Sequence, residues 1–318
     1  MDSPRRRLDA IAWIALVIAA AAVVVVVWAL VTEWGGVTHG HPAYGVLLGL
    51  AVLAAIVATL LTLRRRGVAR RGGIRKVGRI VLLILAVGGV ALIAWLRPHS
   101  ALEPALAAME SGGGITVTET ATEIVLAPAT PGSIAVFYQP GALVDPRAYA
   151  AVLRPVAEAG HTVVIAKQPL GIGFLALGAF DAARAAHPGF AGWVLAGHSL
   201  GGTVAAIEAD AADADAVAPA VGLAFCASYP AGDISRSLTI PVESISGTRD
   251  GLATPQSIAA SRPNLPSDAE FTIIDGAGHA QCGDYGLQSG DGTPSISDDD
   301  ARSQISAALV RFVETVAG

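Results

Sequence analysis

Three stretches without a single charged residue constrain this chain more than any other feature. They are residues 10–31, 43–63 and 80–96, of 22, 21 and 17 residues. A bilayer core takes roughly 20 apolar residues per helix, with a lower limit near 17. Trp13, Trp28, Trp34 and Trp95 stand at or near the ends of these runs, where aromatic belts belong. The first run exceeds the roughly 7–15 apolar residues of a cleaved signal peptide, and two further runs follow it. Three transmembrane helices are expected. They account for much of a composition that is 53% hydrophobic.

Charge is unevenly divided. Residues 1–100 carry a formal +9, and residues 101–318 carry −14. Arg5, Arg6 and Arg7 precede the first span, and Arg64 to Arg79 hold eight basic residues between spans two and three. The connection between spans one and two, residues 32–42, has no Lys or Arg. The positive-inside rule puts the N-terminus and the basic loop in the cytoplasm, and an odd number of spans puts the rest outside. Lipid headgroups are the expected partner of the basic loop. The acidic remainder has too little positive charge to neutralise phosphates, so nucleic acid is not an expected partner. The expected location is a cell membrane, multi-pass, with the larger domain extracytoplasmic.

Residues 1–97 thus read as a membrane region and 98–114 as a linker that ends in Ser-Gly-Gly-Gly. From residue 115 the pattern becomes alternating strands and helices. Strands are expected at 123–127, 134–139, 161–166, 193–197, 221–227, 241–246 and 270–274. Helices are expected from Asp145-Pro146 and at 174–186, 199–212, 254–261 and 297–316. Such alternation predicts a mostly parallel sheet with helices on both faces.

The chemistry centres on Gly197-His198-Ser199-Leu200-Gly201, between an expected strand and an expected helix. G-x-S-x-G in that context is a nucleophile elbow: the turn is tight, so Gly197 and Gly201 must be small, and the serine projects from the carboxyl edge of the sheet. A helix N-terminus also favours developing negative charge. The adjacent His198 reads as a local packing residue. A serine hydroxyl needs a base, and the base an orienting acid. Asp250, after the strand at 241–246, and His279, after the last strand, supply them in the order this architecture requires. Asp233 is the alternative acid and Asp275 a weaker one. The amides of Leu200 and Ala142 are the candidate oxyanion donors.

Asp284 and Tyr285, shortly after the histidine, are candidates either to contact substrate or to anchor their loop. Cys226 and Cys282 are the only cysteines. Both fall near the same sheet edge, where an oxidising compartment would permit a disulfide that pins the histidine loop. With no Cys/His cluster, no metal and no cofactor are expected. The short connection from 227 to 241 leaves no room for a helical lid, so an open site is expected.

Residues 115–318 resemble the α/β-hydrolase superfamily, in particular its compact, dienelactone-hydrolase-like branch. The motifs that carry this are FYQPGALVDPRAYA, GWVLAGHSLGG, ASYPAGD, SGTRDGLATP and GHAQCGDYG, in order over nearly all of that region. The resemblance implies a Ser199–Asp250–His279 triad and carboxylic-ester substrates. The chain departs from the branch twice. Pro140-Gly141 stands where many relatives have His-Gly, and serine replaces the cysteine of dienelactone hydrolases proper, so that substrate does not carry over. The expected activity is a membrane-anchored serine hydrolase acting on small-molecule or lipid-like esters. An acyltransferase, or a silent hydrolase fold used for binding, are the alternatives.

Overall fold

The computed structural model describes residues 8–64 and 73–318. The basic residues Arg5, Arg6, Arg7, Arg65, Arg66, Arg70 and Arg71 of the orientation reading lie outside them. Three N-terminal helices are long and apolar enough to span a membrane: α1 (Ala10–Thr32), α3 (Pro42–Arg64) and α4 (Gly73–Trp95). Each has 23 residues, about 34 Å at 1.5 Å per residue. The third begins before residue 80, because Lys76 and Arg79 are accommodated in its first turns. Arg79 reaches Asp9, the N-cap of α1, at 2.7 Å. A one-and-a-half-turn helix, α2 (Trp34–His39), joins α1 to α3.

Small residues let α1 and α3 approach closely, with Ala19, Ala22 and Ala55 buried together. At the other end of the bundle Val26, Ala29, Tyr44, Leu48, Ile93 and Leu96 form an apolar cluster. There the Tyr44 hydroxyl donates to Ile93 O at 2.9 Å.

After a short helix, α5 (Ala105–Ala108), the chain forms one eight-stranded sheet. Its strands are β1 (Ile115–Glu119), β2 (Glu123–Pro128), β3 (Ile134–Gln139), β4 (Val163–Ala166), β5 (Gly192–His198), β6 (Ala220–Cys226), β7 (Val242–Gly247) and β8 (Glu270–Ile274). The spatial order is β1-β2-β4-β3-β5-β6-β7-β8. β1 and β2 run antiparallel to their neighbours, and the other six strands are parallel.

The continuous apolar runs of β3, β4 and β5 are buried on both sides, as a doubly covered parallel sheet requires. One face is covered by α6 (Ala150–Glu158) and α10 (Asp298–Ala317), the other by α7 (Ala179–Ala186) and α8 (Leu200–Ala212). A seven-residue helix, α9 (Pro255–Ser261), follows β7.

Beyond the early start of α4, several elements differ from expectation. α2, α5 and β1 are additional elements, and the expected linker of residues 98–114 holds α5 and packs Ala101 and Ala105 into the molecule. The helix expected over 174–186 is broken: Pro169–Gly171 and Gly173–Ala176 are 3-10 turns, and only Ala179–Ala186 is α-helical. No helix forms between β6 and β7, so that connection builds no helical lid.

Candidate active site

Four parallel strands bring the predicted residues to one edge. Ala142 follows β3, Ser199 follows β5, Asp250 follows β7 and His279 follows β8. In such a sheet the carboxyl ends share one rim, where α/β sites form.

Ser199 takes φ 52° and ψ −125°, a conformation that L-residues rarely adopt. The elbow enforces it. A Cβ on Gly197 would lie 2.5 Å from Gly201 C, and one on Gly201 would fall onto Gln139 O and Pro140 O. The turn is fastened on both sides: Ser199 N donates to Cys226 O at 3.1 Å, and Ser228 Oγ donates to Ser199 O at 2.6 Å. Ser199 itself remains half-exposed.

Asp250 and His279 are brought together by a zip between their loops. Thr248 N donates to Ile274 O at 3.1 Å, and Arg249 N donates to Ala277 O at 2.8 Å. Asp250 is 4% exposed and His279 1%. Asp250 Oδ2 lies 2.9 Å from His279 Nδ1, while Oδ1 accepts from the amides of Leu252 and Ala253, both at 2.8 Å. With both carboxylate oxygens engaged, the imidazole is fixed with its proton on Nδ1. His279 Nε2 is buried and meets no hydrogen-bond partner among the described residues. The alternative acids are elsewhere: Asp233 is exposed and caps Ser235, and Asp275 accepts from Thr248 Oγ1 at 2.9 Å.

His198 is buried, and its ring centroid is 4.6 Å from that of His279. Tyr149 Oη accepts from Gly141 N at 2.8 Å and lies 2.8 Å from His198 Nδ1. Burial above all holds the Tyr149 phenol protonated, well above its ordinary range. It therefore donates to His198 Nδ1. Burial, and then the neighbouring His279, hold His198 neutral, well below the usual imidazole range. His198 thus links the elbow to the Gly141 loop without placing a second positive charge beside His279.

The candidate oxyanion donors differ from their neighbours. Gly141 N donates to Tyr149, Leu143 N to Gly171 O at 2.8 Å and Val144 N to Gly141 O at 3.3 Å. Ala142 N donates to no acceptor among the described residues. Leu200 N opens α8 and has no intrahelical acceptor. Beneath them runs a buried chain in which Gln168 Nε2 donates to Pro140 O and Gln139 Oε1, and Gln139 Nε2 donates to Glu208 Oε2, each at 2.9 Å. Burial pushes the Glu208 carboxyl up to about 8.

Cys226 and Cys282 are joined as a disulfide with a Cα separation of 6.3 Å. It ties the end of β6, beside the elbow, to the turn Ala280–Cys282 that follows His279. Asp284 and Tyr285 are both engaged within the protein. Asp284 Oδ1 accepts from Arg302 on α10 at 2.7 Å, and Tyr285 is buried with its hydroxyl on Gln288 Oε1 at 2.9 Å. Both anchor the loop.

Asp291 is the residue the sequence reading missed. Its carboxylate accepts from the backbone N–H of Gly251, His279, Ala280 and Gly292. It thereby clamps the loop of Asp250 to the turn of His279.

Among curated proteins none matches the chain. The chain is similar to many solved structures, among them these three. One is a monoacylglycerol lipase of Paleococcus ferrophilus (13% identity, 61% of this chain and 98% of that one, TM-score 0.45). The second is a thermostable esterase of Pseudomonas putida ECU1011 (16%, 65% and 87%, TM-score 0.45). The third is the thermophilic esterase Est2 of Thermogutta terrifontis (15%, 64% and 93%, TM-score 0.44). The sequence profile of the alpha/beta hydrolase family matches residues 134–303, more than half of the chain. With that match on this sheet order, the chain belongs to the alpha/beta hydrolase family.

Proposed function

We propose that the protein is a membrane-anchored serine hydrolase that cleaves carboxylic esters through Ser199, His279 and Asp250. One observation carries the reading. The imidazole of His279 is fixed by Asp250 at 2.9 Å, its other nitrogen meets no hydrogen-bond partner among the described residues, and its ring lies 4.6 Å from that of His198, the residue before the strained Ser199.

His279 Nε2 takes the Ser199 proton as Oγ attacks the substrate carbonyl carbon. Asp250 holds the tautomer and stabilises the imidazolium that forms. The amides of Leu200 and Ala142 receive the oxyanion, each contributing roughly 3–4 kcal/mol on the usual mutational scale. The alkoxide leaves with the proton from His279. Water, deprotonated by the same nitrogen, then releases the acyl group from Ser199.

The three apolar helices anchor this unit, and the distribution of Lys and Arg supports a cytoplasmic N-terminus with the hydrolase unit outside. The test is ester turnover by purified full-length protein. Ser199→Ala and His279→Ala are each expected to lower kcat by about 10⁴-fold or more with little change in KM. Turnover by Ser199→Ala at the wild-type rate would refute the reading.

A further inference from the structure

The rim of the candidate site rests on the membrane helices. Leu143, Leu170 and Ile172 pack against the apolar cluster at the hydrolase-facing end of the bundle. Leu143 and Leu170 both take left-handed backbone, φ 59° and 56°. Leu143 lies next to Ala142, and its N–H donates to Gly171 O.

From Gly171 the chain continues along the site. A Cβ on Gly173 would lie 3.0 Å from Val204 Cγ2, on the helix that starts at the elbow. Directly after these two contacts Phe174, Leu175 and Leu177 point outward, 45%, 56% and 44% exposed. An apolar segment thus begins on the helix bundle, passes the oxyanion loop and reaches α8 with three large side chains uncovered.

The depth of this segment follows from helix length. The 23 residues of α3 span about 34 Å against about 30 Å of hydrocarbon, so roughly 2 Å of helix emerges at each end. The α3 members of the cluster are Tyr44 and Leu48, in the first two turns. They lie roughly 1 to 7 Å below the hydrocarbon boundary on that count. Trp34 and Trp95, exposed at the same end, mark the interface. A segment packed against that level meets the leaflet, not bulk water.

We infer that residues 170–177 form a lip seated in the leaflet on the hydrolase side, through which Ser199 receives esters resident in that leaflet. The inference rests on Ser199 being the nucleophile. It commits the substrate class to lipid esters whose acyl chains stay in the bilayer while the carbonyl reaches the rim. The occupant of the exposed apolar face is lipid, since the face is continuous with helices that themselves face lipid.

The test uses full-length protein in phosphatidylcholine vesicles and two substrates, vesicle-resident 1-oleoylglycerol and water-soluble p-nitrophenyl acetate. Combining Phe174→Ser, Leu175→Ser and Leu177→Ser is expected to lower hydrolysis of the oleoyl ester by about tenfold or more. Acetate hydrolysis should stay within about twofold. Equal loss on both substrates, or loss on neither, overturns the inference. Independently, Leu175→Cys labelled with an environment-sensitive fluorophore should be quenched by lipid spin-labelled near the headgroup, and an unquenched label overturns the lip. Persistent turnover of both substrates by Ser199→Ala would sink the nucleophile reading alone, with the quenching still deciding the lip.

Discussion

Replacing Asp291 with asparagine removes one charge from the joint between two loops. Oδ1 of Asp291 accepts from Gly292 at 2.7 Å and from Gly251 and His279 at 3.0 Å, while Oδ2 accepts from Ala280 at 2.9 Å. Hydrogen bonds to a charged acceptor contribute about 1.5–3 kcal/mol each, against about 1 kcal/mol for neutral pairs. Asparagine can keep one oxygen on three donors at neutral strength, but it sets its own NH₂ against the Ala280 amide. At the low end of these values the loss sums to about 3 kcal/mol, and solvent exposure at Asp291 reduces it to roughly 2 kcal/mol. For a unit of this size that is about 4–8 °C in Tm.

Two assays check this: a melt followed by circular dichroism, and kcat on a soluble ester. kcat should fall by about tenfold, because His279 and Asp250 lose a shared support, while KM stays near its original value. The pH dependence has a definite sign. Burial tends to raise the Asp291 carboxyl, but the amides of Ala280, Gly251, His279 and Gly292 outweigh it and leave it below the ordinary range. Its contribution is therefore present above the unfolded value, about 3.9, and is lost as pH falls through the folded value. Asp291→Asn should flatten that acid limb. A variant that melts within about 1 °C of wild type with unchanged kcat would refute the clamp.

Two further outcomes follow from the same site. Glu208 keeps its proton up to about pH 8 in the folded state, against about 4.3 when unfolded. Stability should therefore decline as pH rises across that window, and Glu208→Gln should abolish the decline in melts taken from pH 5 to 9. The Cys226–Cys282 bridge closes a separation of 56 residues. The loop-entropy model gives about 4 kcal/mol for that length, so reduction or the double Cys→Ser change should lower Tm by roughly 8–16 °C. An unchanged melt under reductant would contradict the pinning role.

The sequence displayed the site through position more than through motif. Ser199, Asp250 and His279 each follow a strand, and parallel strands deliver their carboxyl ends to one rim. What stayed hidden has physical reasons. β1 is an edge strand with one buried residue, Ile115, so its five residues lack the apolar run that marks β3 or β5. The stretch 174–186 is apolar enough to read as one helix, yet Gly173 and Ala176 are buried while Phe174, Leu175 and Leu177 remain uncovered. That split reflects contact with α8 and the bundle, which no local pattern records. Asp291, between Gly290 and Gly292, reads as a turn residue, and its four donors arrive from three separate stretches of chain. The third helix starts early because Lys76 and Arg79 can occupy the polar end of an otherwise apolar helix, which a count of uncharged residues leaves out.

The nucleophile is tested most directly by the mass of the protein after exposure to a fluorophosphonate. One adduct per chain is expected. Fragmentation should place it on the peptide that holds Ser199, and Ser199→Ala should take none. An adduct on another residue, or an undiminished adduct on Ser199→Ala, would contradict the account.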